Sequence, residues 1–351
     1  MRAGSQPREM TIGGKAVRQK SGPPCSDRDP LVIGLVNNMP DAELGNTETQ
    51  FRDLLGAASA GLPVRLRLLA LPEMPRSDAG RAQILERYDY IGAFSDECID
   101  GLIVTGTEPR AHGLSEEPYW PALSRLVDWA EEHTRSTIWS CLAAHVAVLY
   151  LDGVERHAFS HKLSGVFECE KPPDHPLVAG QPWRWFVPHS RLNGLAEDVL
   201  AARGYRILTR SPATGPDMFA RKSRSLFVFL QGHPEYDRHA LHREYRRDVD
   251  RFLRGQSDRY PEIPSSYFDA DTMEVLVEFR ALALRNRCPE LIAKFPAIAD
   301  AAIVESWSAA AVELYRGWLT YLYAERARSG ARHPRSNRRV CFDPNRRHGM
   351  T

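Results

Sequence analysis

The chain has 351 residues, of which 43% are hydrophobic and 26% are charged, and its formal net charge at neutral pH is +1. A chain of this size can bury a complete active site, and the near-zero charge argues against a dedicated polyanion-binding protein, so we expect no nucleic-acid partner. No apolar stretch reaches the length of a membrane span, and we expect no membrane association.

The cysteines indicate the redox compartment, and the composition of the two chain ends indicates disorder. The cysteines show no paired spacing, which favours a reducing, cytoplasmic location; they stand at positions 25, 98, 141, 169, 288 and 341. Residues 1–29 carry Pro, Gly, Ser and basic residues without an apolar signal core, so we predict a disordered N-terminal extension. Residues 328–351 are predicted to form a basic, disordered tail.

Strands and helices alternate in the first half of the predicted structure. Leu31–Val36 is a continuous apolar run, typical of a parallel strand covered on both faces. A loop over residues 41–48, a helix over 49–55 and the strand Val64–Ala70 then give a βαβ opening. The same alternation continues with a helix over 79–87, a strand over 99–106 and a helix over 119–133.

The pattern loosens beyond residue 150. Short strands predicted at 162–168, 183–191 and 205–210 suggest an antiparallel region that covers one side of a site. The remaining predictions are a strand over 225–231, a helix over 239–253, a crossing loop over 257–268, and a helical hairpin of residues 272–286 and 301–327. The apolar stripe of the last helix indicates a packing or dimer face.

The strongest chemical signal lies around Cys141. Residues 137–139 (Thr-Ile-Trp) favour a strand and residues 142–144 (Leu-Ala-Ala) favour a helix, which places Cys141 at the corner between them. A side chain on such a turn projects from the sheet, and the free amides of the new helix lower a cysteine pKa. We therefore predict a nucleophile elbow. The competing interpretation is a buried cysteine without a chemical role.

Two further strand ends are expected beside Cys141, because ligands bind beyond the carboxyl ends of the strands in open parallel sheets. His233 follows one of them and can take the thiol proton, while Glu235 can orient the other ring nitrogen. Taken singly, His233 also fits a structural loop histidine and Glu235 a surface charge. For the oxyanion hole we predict the backbone N–H of Leu142 and one from the turn of Gly106 and Thr107.

These motifs resemble those of the homoserine O-succinyltransferases, also called homoserine O-transsuccinylases. The resemblance runs in order from about residue 31 to residue 323. It is carried by residues 38–40 (Asn-Met-Pro), 48–51 (Glu-Thr-Gln-Phe), 100–106 (Asp-Gly-Leu-Ile-Val-Thr-Gly), 119–121 (Tyr-Trp-Pro), Cys141, 162–166 (Lys-Leu-Ser-Gly-Val), 188–191 (Pro-His-Ser-Arg), 232–237 (Gly-His-Pro-Glu-Tyr-Asp) and 247–249 (Arg-Asp-Val).

The resemblance implies a class I glutamine-amidotransferase-like, flavodoxin-like α/β fold, with a mostly parallel sheet and helices on both faces. We place this domain at residues 30–255, followed by a C-terminal loop and helices over 256–327. The implied reaction is a ping-pong transfer, in which a cysteine takes an acyl group from acyl-CoA and the γ-hydroxyl of homoserine then attacks the thioester. We expect a homodimer with acyl-CoA as co-substrate, no bound cofactor and no metal.

Residue roles follow by matching motif. Cys141 corresponds to the nucleophile, His233 to the base and Glu235 to its orienting group. The implied substrate contacts are Lys162, Ser190 and Arg247. The two basic residues suit a carboxylate.

The acyl donor depends on one loop position in the resembled family, where glycine accompanies succinyl-CoA and glutamate accompanies acetyl-CoA. Aligned without gaps, this position is Arg110. A guanidinium that faces the acyl pocket favours an anionic chain such as succinyl. We therefore predict succinyl-CoA, whereas a gap that places Glu108 there would favour acetyl-CoA.

Other functions remain open at this point. One is a homoserine or serine O-acetyltransferase. Another is a glutamine amidotransferase or γ-glutamyl hydrolase, which would use the same three residue types. However, Cys141 lacks the Gly-x-Cys-x-Gly pattern that is typical of those enzymes. A non-catalytic binding protein has no chemical reason to retain all three groups.

Overall fold

One mixed sheet runs through the protein, for which the computed structural model describes residues 29–91, 99–111, 113–171 and 175–332. The strands are β1 (Leu31–Val36), β2 (Val64–Ala70), β3 (Asp89–Tyr90), β4 (Gly101–Val104), β5 (Ser136–Ser140), β6 (His157–Glu170), β7 (Arg184–Gly194), β8 (Arg206–Ser211), β9 (Gly215–Lys222) and β10 (Leu226–Leu230). The helices are α1 (Leu44–Ala58), α2 (Asp78–Arg87), α3 (Trp120–His133), α4 (Leu142–Asp152), α5 (Glu197–Ala202), α6 (Ala240–Leu253), α7 (Ala270–Arg285) and α8 (Ser308–Arg332).

Two predictions fall mostly outside these residues. The N-terminal extension, except for Asp29, and residues 333–351 of the C-terminal tail lie outside the described part of the chain. Three of the cysteines, at positions 25, 98 and 341, lie outside it too.

The strands follow the order β3-β2-β1-β4-β5-β10-β9-β8-β6-β7. Neighbours are parallel from β3 to β10 and antiparallel from β10 to β7. Every residue of β1, β4, β5 and β10 is buried, as continuous apolar runs predict for parallel strands with covered faces. The predicted α/β fold and its βαβ opening are confirmed.

The antiparallel strands extend the sheet. Strands predicted at 162–168, 183–191 and 205–210 lie within or across β6, β7 and β8, so their existence is confirmed. The unpredicted strand β9 pairs with both β10 and β8, and so joins these strands to the parallel half of the sheet. β9 begins with Gly-Pro-Asp, residue types that are depleted in strands, which hid it in the sequence.

Helices cover both faces of the sheet. On one face α3 and α4 pack in a core that contains Trp139, and on the other α1 and α8 pack in a core that contains Ile138. These two neighbours point to opposite faces because side chains alternate along a strand. Both faces of β1, β4, β5 and β10 are therefore covered, which leaves the ends of these strands as the place for a polar site.

The predicted helical hairpin is wrong. α7 packs with α6 in a third core, whereas α8 packs with α1 against the sheet, so the two helices do not pair. Trp318 and Leu322 of α8 are fully buried within this chain. α8 continues to Arg332, and the boundary predicted after residue 327 falls inside it. Among the described helices, none is long and apolar enough to cross a membrane.

The predicted loop over residues 41–48 is also wrong. Asp41–Glu43 forms a short 3-10 turn, and α1 begins at Leu44. The first turn of α1 is packed into the protein: Leu44 is fully buried, and the buried carboxylate of Glu48 forms an ion pair with Arg52 one turn on and, at 2.6 Å, with Arg87 of α2. Propensity alone does not include such contacts.

Candidate active site

The strand-to-helix turn predicted at Cys141 is confirmed. β5 ends at Ser140, α4 begins at Leu142, and Cys141 between them has φ 52° and ψ −115°. Its amide donates a hydrogen bond to the carbonyl of Leu230 at the end of β10, with N and O 2.7 Å apart. The side chain of Cys141 is half-buried. The elbow therefore stands where two parallel strands end.

His233 and Glu235 lie beside this elbow. His233 Nδ1 is 2.8 Å from Glu235 Oε1, and the His233 amide donates to the carbonyl of Pro188 at 2.7 Å. The carboxylate acceptor places the proton on Nδ1 and leaves Nε2 for Cys141. Burial disfavours the charged imidazole, but the charges of Glu235 and Cys141 and hydrogen bonds with both raise the pKa of His233 well above its ordinary value. The site therefore favours the protonated form of His233.

The predicted oxyanion-hole residues lie next to one another. A methyl group added at Gly106 would come within 2.8 Å of the Leu142 nitrogen, so only glycine lets this loop approach the elbow so closely. As the first residue of α4, Leu142 has an amide that cannot bond within its helix. Thr107, the next residue after Gly106, is half-buried. An N–H from this loop and one from the helix can therefore face a common oxygen.

The three predicted substrate contacts converge on an acidic residue that the sequence did not reveal. Glu244 of α6 accepts a hydrogen bond from Ser190 Oγ, forms an ion pair with Lys162 Nζ at 3.2 Å, and lies 3.9 Å from Arg247. Burial opposes ionisation of Glu244, but Lys162 and Arg247 outweigh it and hold its pKa at about 2. Glu244 is therefore a fixed anion at the centre of this group.

Further contacts tie Glu244 to the catalytic loop and to α6. The Tyr236 hydroxyl donates to Glu244 Oε1 at 2.5 Å, and the Tyr236 ring stacks on His233 with centroids 4.3 Å apart. Lys162 Nζ also contacts Asp248 at 2.8 Å, one helical turn beyond Glu244. The sequence signal was present, because residues 244, 247 and 248 share one face of a helix. It resembles an ordinary solvated ion-pair pattern, and so it was missed.

Arg110 stands apart from these groups. Its side chain is exposed, while its amide and that of Ala111 donate to Glu117 Oε1 at 2.6 and 2.8 Å. The structure thus shows how the loop is anchored, but does not bring the Arg110 guanidinium into contact with Cys141 or His233. Glu108, the alternative specificity position, forms ion pairs with Arg247 and Arg251 instead.

A buried polar cluster lies behind the catalytic loop. Ligand atoms of Cys169, His189 and Asp217 lie within 4.8 Å of one another, a spacing that suits a metal ion. However, Arg191 Nε donates to His189 Nδ1 at 3.2 Å, so His189 Nε2 carries the proton and faces Asp217 Oδ1 at 3.3 Å. Neither ring nitrogen is free for a metal. Asp217 Oδ1 also accepts the amide of Gly232 at 3.2 Å, which holds the start of the catalytic loop.

The sheet, the elbow cysteine and its histidine and glutamate neighbours have the arrangement of an α/β enzyme that works through a cysteine. The chain matches the family model for homoserine O-succinyltransferase over residues 16–328. It is 53% identical to a homoserine O-succinyltransferase from Rhodopseudomonas palustris, over 84% of this chain and 89% of that protein. It is 47% identical to one from Methylorubrum extorquens, over 82% of this chain and 86% of that protein. The chain belongs to the homoserine O-succinyltransferase family.

Among solved structures, a glutamine amidotransferase from Methylobacillus flagellatus aligns with 83% of this chain and 94% of its own length, at 16% identity and a TM-score of 0.46.

Proposed function

We propose that this protein transfers a succinyl group from succinyl-CoA to the γ-hydroxyl of L-homoserine, through a thioester on Cys141. Family membership supports the reaction. The observation that carries the mechanism is the elbow cysteine beside an imidazole whose other nitrogen is 2.8 Å from a buried carboxylate. Methionine biosynthesis is the use that this activity implies.

The first half-reaction forms the thioester. The Cys141 thiolate attacks the carbonyl carbon of the acyl-CoA, and the N–H groups of Leu142 and of the Gly106 and Thr107 turn stabilise the oxyanion. When the carbonyl re-forms, the C–S bond to CoA breaks, and the His233 imidazolium gives its proton to the leaving CoA thiolate. This leaves neutral His233 and an acylated Cys141.

The second half-reaction transfers the acyl group. His233 takes the proton of the homoserine hydroxyl as its oxygen attacks the thioester, and the C–S bond to Cys141 then breaks. The thiolate and the imidazolium are restored together. Glu235 stabilises the charge of His233 in both directions without itself changing protonation.

The cluster around Glu244 supports recognition of the acceptor. Lys162 and Arg247 are cations held in one place by shared acidic partners, and their charge suits the α-carboxylate of an amino acid. Ser190 is held by the same carboxylate. The exposed Arg110 gives little support to the predicted donor contact, so the choice of succinyl-CoA rests on the family. The homodimer and the cytoplasmic location stay predictions.

Trapping the intermediate tests this proposal. We expect succinyl-CoA without acceptor to leave a succinyl adduct on Cys141, visible by peptide mass spectrometry, and added L-homoserine to remove it as O-succinylhomoserine. Cys141→Ala should abolish the adduct, while Cys288→Ala, which removes the other half-buried cysteine among the described residues, should not. An adduct confined to Cys288, or glutamine hydrolysis without acyl transfer, would contradict the proposal.

A further inference from the structure

Residues 38–40 (Asn-Met-Pro) contribute no group to the proposed reaction, but they follow β1 at the end of the sheet where the site lies. Two hydrogen bonds join Asn38 to Thr105. The Asn38 amide donates to Thr105 Oγ1 at 2.8 Å, and Asn38 Nδ2 donates to the Thr105 carbonyl at 3.0 Å. Thr105 is 3% exposed, and its own amide donates to the carbonyl of Val36 at 3.0 Å. The end of β1 therefore holds the residue that comes just before the oxyanion-hole turn.

The Thr105 hydroxyl also fixes the peptide group that follows it. Because Oγ1 accepts the Asn38 N–H, its single proton is left to donate, and Oγ1 donates it to the Gly106 carbonyl at 3.2 Å. The carbonyl of Gly106 and the N–H of Thr107 belong to one trans peptide, so they point in opposite directions. Since the carbonyl is held towards the Thr105 hydroxyl, the Thr107 N–H points away from it.

This direction leads towards the elbow. β1 and β5 flank β4 on opposite sides, and the Thr105 hydroxyl is bonded on the β1 side, whereas Cys141 follows β5. Gly106 reaches the β5 side, because a methyl group added to it would come within 2.8 Å of the Leu142 nitrogen. Within the described part of the chain, the amides of Thr107 and Leu142 have no acceptor. Two unused N–H donors are therefore left beside the nucleophile.

We propose that Thr105 is a positioning residue for the oxyanion hole, and that Asn38 holds Thr105 in place for this purpose. The assignment makes the Thr107 N–H the partner of the Leu142 N–H, and it rests on the proposed function, in which the thioester forms through this oxyanion. The acyl oxygen gains negative charge in the transition state, and a donor that points elsewhere cannot stabilise it. A peptide that is already fixed needs no reorganisation at that moment.

Two kinds of reagent separate this role from a general effect on the thiol. p-Nitrophenyl acetate and succinyl-CoA acylate a cysteine through an oxyanion, whereas iodoacetamide alkylates the thiolate by displacement of iodide and forms none. Thr105→Val keeps the shape of the side chain but removes the hydroxyl. We expect this variant to slow acylation of Cys141 by about 10- to 100-fold, less than the loss of a whole oxyanion-hole donor, while alkylation stays close to wild type. Peptide mass spectrometry at Cys141 follows each reaction.

Three further variants sharpen the test. Thr105→Ser restores the hydroxyl, and should restore most of the acylation rate. Asn38→Leu leaves the hydroxyl in place but removes the side-chain hydrogen bond to the Thr105 carbonyl, and should slow acylation less. Thr137→Val is the matched control and should leave both rates unchanged. It removes a buried hydroxyl from the same sheet, 2.9 Å from that of Thr134 and at the end of β5 that is remote from the elbow.

The ratio of acylation to alkylation is independent of the folded fraction, because both reactions are followed at Cys141 of one preparation. Equal losses in both reactions for Thr105→Val would overturn the assignment. An unchanged acylation rate, or a Thr105→Ser variant as slow as Thr105→Val, would overturn it too. A wild-type protein that p-nitrophenyl acetate acylates at Cys141 but succinyl-CoA does not would overturn the proposed function and leave this assignment standing. A Cys141 that neither reagent acylates would overturn both.

Discussion

The parallel and antiparallel halves of the sheet differ in what they bring to the site. The parallel half places Cys141, His233 and Gly106 at the ends of strands that are buried throughout. The antiparallel half provides Lys162 and Ser190 from within β6 and β7, where they meet an ion-pair cluster of α6. The first group is suited to bond making and the second to binding.

The two halves also differ in how their groups are held. Backbone geometry fixes Cys141, since its amide is bound between β5 and β10. Lys162 is held mainly by charge: burial lowers its pKa, but Glu244 and Asp248 outweigh burial and raise it. A mutation in the parallel half should therefore reduce the chemical step, whereas one in the antiparallel half should reduce affinity. The next predictions test this division.

The largest effect is expected from His233→Ala. Loss of the group that moves the proton should lower kcat by about a hundred- to ten-thousand-fold, with little change in KM for L-homoserine. Steady-state CoA release measures both constants. His239→Ala, which removes a more exposed histidine at the start of α6, should have wild-type values. If His233→Ala changes mainly KM, the division between the halves fails.

A smaller effect is expected from Glu235→Gln. Glutamine can still accept a hydrogen bond but no longer carries charge, so the pKa of His233 should fall from its raised value. Acylation of Cys141 starts from the imidazolium, and the alkaline limb of kcat/KM for succinyl-CoA should therefore move to lower pH, with a loss of about tenfold to a hundredfold near neutral pH. An alkaline limb that does not move would show that Glu235 has no electrostatic role.

An effect of similar size, but on affinity instead of on the chemical step, is expected from Lys162→Met. Loss of this cation should raise KM for L-homoserine by about 10- to 100-fold, because a charge-assisted contact is lost. A single-turnover assay of Cys141 acylation, without acceptor, should be close to wild type. Lys222→Met removes a lysine that lies outside the cluster, and provides the control for charge alone. Equal losses in acylation and in transfer would place Lys162 in the chemical step.

The parallel half of the fold was predictable because its physics is local. A fully buried parallel strand must be apolar along its length, so β1 and β10 stand out in the sequence. The packing of α8 was not predictable from the same sequence. Its periodicity shows which face is apolar but not which partner covers that face, and the structure pairs it with α1 and not with α7.

The predicted site shows a similar contrast. Cys141, His233 and Glu235 follow from strand ends and short spacings, and the structure brings them together. Glu244 was missed, although it contacts all three predicted substrate residues. It lies on a helix far along the chain from β6 and β7, and only tertiary structure joins these segments. Arg110 was predicted from its position in the sequence alone, and the sequence does not show in which direction a loop side chain points.

The backbone of Cys141 has a consequence for the stability of the whole chain. Its φ of 52° with ψ of −115° lies where residues with a side chain rarely stand, at a cost of about 1–3 kcal/mol. Glycine would adopt the same angles almost freely, whereas alanine would not, because it keeps the Cβ atom. The protein therefore loses some folding stability in order to present the thiol. Selection for thermal stability alone would favour glycine at this position, and a chain with glycine there would lack the nucleophile.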